Sequence, residues 1–132
     1  MRRLALAAAL LSAPLLAAPA PPPPQVLVQA DVPQDHGPQA VTQLIRTFPV
    51  GGSSGWHTHP GIELGYVLSG VTEMRLADGT RHHYAAGESF SIPRGAVHNG
   101  VNVGRVPVRL LVTYVLDKGA PQRTDAPDPG AH

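Results

Sequence analysis

Cysteine is absent from this 132-residue chain. Disulfides, iron–sulfur clusters, thiolate zinc sites, a cysteine nucleophile and a lipoprotein anchor are therefore excluded, and the composition is compatible with an oxidising compartment. An excess of charge of either sign is also missing. The formal net charge is +1, and no Lys/Arg run is paired with aromatic residues, so nucleic-acid binding has no electrostatic footprint. No amphipathic helical stripe of useful length occurs. The apolar N-terminus is interrupted by Pro14 and is short for a membrane span. What is left is enough chain for one domain.

The two ends differ from the middle. Arg2 and Arg3 precede an apolar run from Leu4 to Leu11, followed by small residues at Ala17, Ala18 and Ala20. That order is the order of an export signal, so residues 1–20 are expected to be a signal peptide and the mature protein periplasmic or secreted, without stable membrane insertion after cleavage. An uncleaved anchor or a mis-assigned start is the alternative. Residues 21–40 open on prolines, which fix φ and lack an N–H, and are expected to be an extended linker leading into an N-terminal strand. Residues 117–132 are rich in Pro, Asp and Gly and are expected to be a flexible tail or to drape over the surface.

Between these flanks, residues 41–116 break into short β-rich runs separated by turn residues. The runs are Val41–Phe48, Ile62–Leu68, Thr72–Leu76, Thr80–Tyr84, Glu88–Ile92, Val97–Val103 and Val106–Leu116, with Val26–Gln29 as a short candidate. Ala77-Asp78-Gly79 joins two runs and carries a hairpin signal, since Asp and Gly both tolerate φ > 0. Pro107 near the start of the last run predicts an edge strand or bulge. Many short antiparallel strands predict an all-β sandwich or small barrel.

A set of metal-ligand side chains is embedded in these runs. His57 and His59 are one residue apart. On an extended segment they share a face, whereas on a helix they would diverge by about 200°. Glu63 follows a Pro60-Gly61 turn that can bring its carboxylate to the same point, and His98 follows a Pro93-Arg94-Gly95 turn on another strand. Three imidazoles and one carboxylate suit a divalent transition metal: iron, manganese, nickel, copper or zinc.

The spacing G-x5-H-x-H-x3-E-x6-G fits Gly51, His57, His59, Glu63 and Gly70, and G-x5-P-x-G-x2-H-x3-N fits Gly87, Pro93, Gly95, His98 and Asn102. These resemble the two signature motifs of the cupin superfamily, with a short gap between them as in small, exported, single-domain members. The resemblance implies a single-domain double-stranded β-helix (a jelly-roll barrel) with one divalent metal held by His57, His59, Glu63 and His98. Glu63, the ligand that can also accept a proton, is the candidate catalytic residue.

Other residues carry plainer expectations. His36, His82, His83 and His132 read as solvated or core histidines, and Trp56, Tyr66, Phe90 and Tyr114 as core or rim residues. Gly51, Gly70, Gly87 and Gly95 are expected at turns requiring φ > 0 or close chain approach. Asn102 is expected to bond backbone, and Arg94 to be a solvated turn residue near the pocket mouth.

Two classes of function fit. One is a metal-dependent, dioxygenase-like enzyme acting on a small oxygenated substrate. An isomerase version lacks an evident second acid/base group. The other is a non-catalytic module in the cell envelope that binds a small ligand or the metal itself. A sensory regulator is set aside, since no segment reads as helix-turn-helix. A small molecule is the expected partner. A homodimer is also expected, because free edges and apolar outer faces of small sheets are usually covered and twofold dimers are the commonest assembly.

Overall fold

A computed structural model describes residues 25–32 and 36–130. The signal peptide expected at 1–20, the prolines at 21–24 and His132 lie outside the described residues. Those residues form nine strands: β1 (Gln39–Phe48), β2 (His57–Thr58), β3 (Gly61–Ser69), β4 (Val71–Leu76), β5 (Arg81–Ala85), β6 (Ser89–Ile92), β7 (His98–Asn102), β8 (Val108–Asp117) and β9 (Thr124–Asp125). They make two antiparallel sheets, of order β1-β8-β3-β6 and β5-β4-β7-β2-β9. The architecture is all-β, as the strand pattern implies, and is the jelly-roll barrel that the family resemblance implies.

Strand periodicity builds the core. Val108, Leu110, Val112, Tyr114 and Leu116 alternate along β8 and all point inward. Val67, Phe90 and Ile92 from the same sheet join them, and Met74 meets them from the other sheet. Each such side chain contributes about 1.5–3 kcal/mol when fully buried. Gly65 sits in β3 opposite Phe90, and a Cβ there would fall 2.0 Å from the Phe90 ring. The aromatic ring therefore takes the space of the missing side chain.

The turns behave as their residues dictate. Gly51, Gly70, Gly87 and Gly95 have φ of +72°, +82°, +92° and +72°. In the β4–β5 hairpin only Gly79 is left-handed, at φ +88°, so Asp78 caps the turn by accepting from the Thr80 N–H and does not adopt φ > 0 itself.

Three expectations change. Val26–Gln29 pairs with no strand; Leu27 and Val28 border an apolar groove with Leu64, Tyr66 and Leu111 on the outside of the β3–β8 sheet. The last long strand is not an edge: β8 pairs with both β1 and β3, and Pro107 stands just before it, where no ladder N–H is needed. The bulge alternative holds in the β3–β8 ladder, where the register shifts between Val67 and Ser69, opposite Leu110 and Arg109 near the start of β8. Finally, the segment after residue 116 is not a loose tail over its described length. β9 pairs with β2, and the Ala126 N–H donates to the Trp56 carbonyl at 2.9 Å.

Candidate metal centre

The two sequence motifs are bonded to each other. The Gly51 N–H donates to the Asn102 carbonyl at 3.1 Å, and the Asn102 N–H to the Gly52 carbonyl at 2.8 Å. The Gly95 N–H donates to the His59 carbonyl at 3.0 Å, so the turn that aims His98 is fastened to the first motif. Asn102 bonds backbone as expected. Its buried amide donates to the carbonyls of Phe48, Pro49 and Val106 at 3.0, 3.0 and 2.9 Å and accepts from the Gly104 N–H.

His57 on β2, His59 just after it, Glu63 on β3 and His98 on β7 are all buried. One ligand atom from each lies within 4.8 Å of the others, so the group could hold a metal ion. His57 Nε2 is 3.1 Å from His59 Nε2, and Glu63 Oε2 is 3.0 Å from His59 Nε2 and 3.2 Å from His98 Nε2. The other ring nitrogens all meet carbonyls: His57 Nδ1 at Gly55 (2.7 Å), His59 Nδ1 at Gln122 (2.6 Å) and His98 Nδ1 at Ala96 (2.9 Å). A carbonyl only accepts, so each Nδ1 carries a hydrogen, and a ring protonated there alone directs its Nε2 lone pair inward. Two lone pairs facing each other at 3.1 Å need a cation or a proton between them. This donor set therefore fits a divalent metal.

Electrostatics agrees. Burial is the main cause that lowers His57 to about 4, reinforced by His98, Arg123 and His59 and opposed by the Gly55 carbonyl, so the ring is neutral and available as a donor at neutral pH. For Glu63, burial alone would raise the carboxyl, but His59 and His98 beside it outweigh this, by hydrogen bonding and charge when their Nε2 atoms are protonated, and hold the group at about 2. Tyr114 is raised by burial and by the Glu63 carboxylate, and stays protonated.

The site opens into a cavity of about 30 Å³ lined by His57, Glu63, His98, Arg46, Tyr114 and Arg123, among others. The last three belong to the site's wall. The Tyr114 ring packs tilted against His59 with centroids 4.8 Å apart, and Arg46 and Gln122 act on its hydroxyl against the rise caused by burial. Arg46 shares the inward phase of Leu44 and Phe48 on β1, a charge at a core position that alternation could have flagged. Nothing in the composition of residues 117–132 marks Gln122 or Arg123. Other expectations sort cleanly. His82 and His83 are exposed on β5, and His83 reaches Glu73 at 3.1 Å. Arg94 is not a solvated turn residue: it forms a two-pronged pair with Asp117 that ties the second-motif turn to the end of β8.

A jelly-roll barrel with this inward His/Glu group is the arrangement of a cupin. The sequence matches the Cupin domain family over residues 44–114, more than half of the chain, and the protein belongs to that family. It is similar to a germin-like protein of Oryza sativa subsp. japonica, 36% identical over 51% of this chain and 33% of that protein. The chain thus spans about a third of the length of the curated relatives it matches. Among solved structures it resembles an uncharacterised double-stranded β-helix protein from Klebsiella pneumoniae, 25% identical with a TM-score of 0.57 over 66% of this chain and 75% of that one. It also resembles an oxalate oxidase, 26% identical with a TM-score of 0.56 over 65% of this chain and 46% of that one. Among the described residues no helix is long and apolar enough to cross a membrane.

Proposed function

We propose that His57, His59, Glu63 and His98 hold one divalent transition metal (iron, manganese, nickel, copper or zinc) and that the chain is a metal-dependent, dioxygenase-like enzyme for a small oxygenated substrate. The observation that carries this reading is the convergence of four buried donors whose outer nitrogens are each tied to a carbonyl. When bound, the ion supplies Lewis-acid or redox chemistry at a substrate oxygen.

The chain's own groups do the rest. The carbonyl contacts fix ring tautomer and aim. Glu63 is the catalytic candidate because, alone among the four donors, it can both hold charge and take up a substrate proton. Arg46 and Arg123 put positive charge on the wall; Arg123 pairs with Asp125, but among the described residues no carboxylate pairs with Arg46. An anionic oxygen-rich substrate suits that wall, and the likeness to an oxalate oxidase supports the same class. The test is oxygen uptake by apo and reconstituted protein given oxalate, glycolate and small phenolic or diketone acids. Uptake in proportion to metal occupancy is expected; turnover that survives complete metal removal would overturn the mechanism.

A second reading, a non-catalytic metal or small-ligand module of the cell envelope, is favoured by one feature. The cavity of about 30 Å³ admits an ion and about one or two water-sized groups. Saturable binding without turnover in the same experiment selects it. The N-terminal signal pattern supports a periplasmic or secreted location for either function.

A further inference from the structure

The three site histidines are not held alike. His57 and His98 each meet a carbonyl two residues upstream in their own motif, at Gly55 and Ala96. His59 meets the carbonyl of Gln122, 63 residues away, in the segment that composition marks as a tail. Two histidines bring their own orienting groups and the third takes one from the C-terminal segment.

That segment is docked by specific bonds. Thr124 and Asp125 pair with Thr58 and His57, so β9 covers the side of β2 that β7 leaves open. The Ala126 N–H donates to the Trp56 carbonyl at 2.9 Å. Arg123 Nη1 donates to the Ser54 carbonyl at 2.9 Å, and its guanidinium also bonds Asp125. Ser54 adjoins Gly55, whose carbonyl orients His57. β2 has only two residues, and His57 is held besides by its pairing with His98 and by Gly55, so this segment's bonds bear chiefly on His59.

We propose that residues 122–126 are a positioning strap for the metal centre: docking of the strap delivers the Gln122 carbonyl that fixes the His59 ring, and undocking releases the ring and with it metal affinity. The inference rests on the reading of the four donors as a metal site, but its structural half, the state of His59, does not require a metal. Arg123 and Ala126 act on the metal centre through the strap, and substrate-free readouts separate this from the charge that Arg123 puts on the cavity wall.

The test uses the full chain carrying Arg123→Ala and Ala126→Pro. The first removes the guanidinium bonds, and the second removes the N–H that reaches Trp56. Two quantities are read: the Zn²⁺ dissociation constant by chelator competition, and the nitrogen-15 tautomer signature of each histidine in metal-free protein at mildly alkaline pH. The expected result is a 10–100-fold loss of Zn²⁺ affinity, the usual cost of removing an orienting group behind a ligand. His59 should pass from the single Nδ1–H form to a mixture while His57 and His98 keep theirs, with the barrel's melting temperature little changed. Unchanged affinity, or weakened affinity with an unchanged His59 signature, would overturn the proposal. If the double variant does not fold, Arg123→Ala alone should shift both readouts in the same direction and Arg123→Lys should recover part of the loss; no shift overturns the proposal equally. Should wild type fail to bind Zn²⁺ or any other divalent ion, the metal reading falls, and the His59 signature still decides whether the strap orients the ring.

Discussion

His57 and His98 are direct partners across the β2–β7 ladder, with ring centroids 4.3 Å apart. Forty-one positions separate them in the chain (98 − 57), yet antiparallel register alone brings the two motifs together. Binding of a metal at the proposed site would thus depend on correct strand pairing, and the pairing can be tested through the metal.

Wild-type protein should carry one metal ion per chain by elemental analysis. A His57→Ala/His59→Ala variant should carry none, because two of four donors are lost. Glu63→Gln should keep a fraction of the metal and, at equal occupancy, lose more turnover than wild type diluted to that occupancy. Equal stoichiometric metal in wild type and the double variant would refute the ligand assignment.

Asn102→Ala should destabilise the fold by about 2–3 kcal/mol, since three carbonyls and one N–H lose a buried partner. In a domain of this size that is roughly 10 °C or more in Tm. A thermal melt within experimental error of wild type would remove Asn102 from the framework.

Glu73 predicts an acid-dependent term. The Arg75 hydrogen bond is the main cause holding its carboxyl below the ordinary value of 4.5, with Arg81 and His83 adding charge. A depressed carboxyl stabilises the folded state above the unfolded-state value and loses that contribution as pH falls through the folded-state one. Glu73→Gln should therefore be less stable than wild type at neutral pH, by about 1 kcal/mol or less given its exposed partners. The difference should close below the carboxylate range. Parallel melting curves against pH, with a constant gap down to strong acid, would contradict this.

A homodimer should appear by light scattering at micromolar concentration. β1 is the edge of its sheet and exposes Val41 (68%) and Ile45 (48%), while β8 offers only its outer face, its two edges being paired. Val41→Lys/Ile45→Lys should yield folded monomer. Monomer in the wild type would dismiss the interface.

Native mature protein should begin between Ala17 and Gln25 by N-terminal sequencing. Met1 retained on soluble cytoplasmic protein would rule out export.

The clustering of His57, His59, Glu63 and His98 was legible because motif spacing is set by local geometry: a turn glycine, an H-x-H pair on an extended segment and a proline-braced turn before His98. Strand runs were legible for the same reason, through alternation such as that of β8. β9 was not, because Thr124–Asp125 has no apolar period and pairs only when β2 is already in place. Gln122 acts through its backbone carbonyl, which no side-chain pattern can encode. Pro107 misled as to an edge because proline forbids an internal ladder position but is tolerated one residue before a strand.

Glu63 belongs to the β1-β8-β3-β6 sheet, whereas His57 and His98 belong to the sheet packed against it. An ion held among them would be a rivet through both layers. Sliding or prying one sheet away from the other would then break coordination in the same movement, so mechanical resistance of the barrel and retention of the metal become one property. Single-molecule pulling across the two sheets should show the metal-loaded chain yielding at higher force than the chelated one.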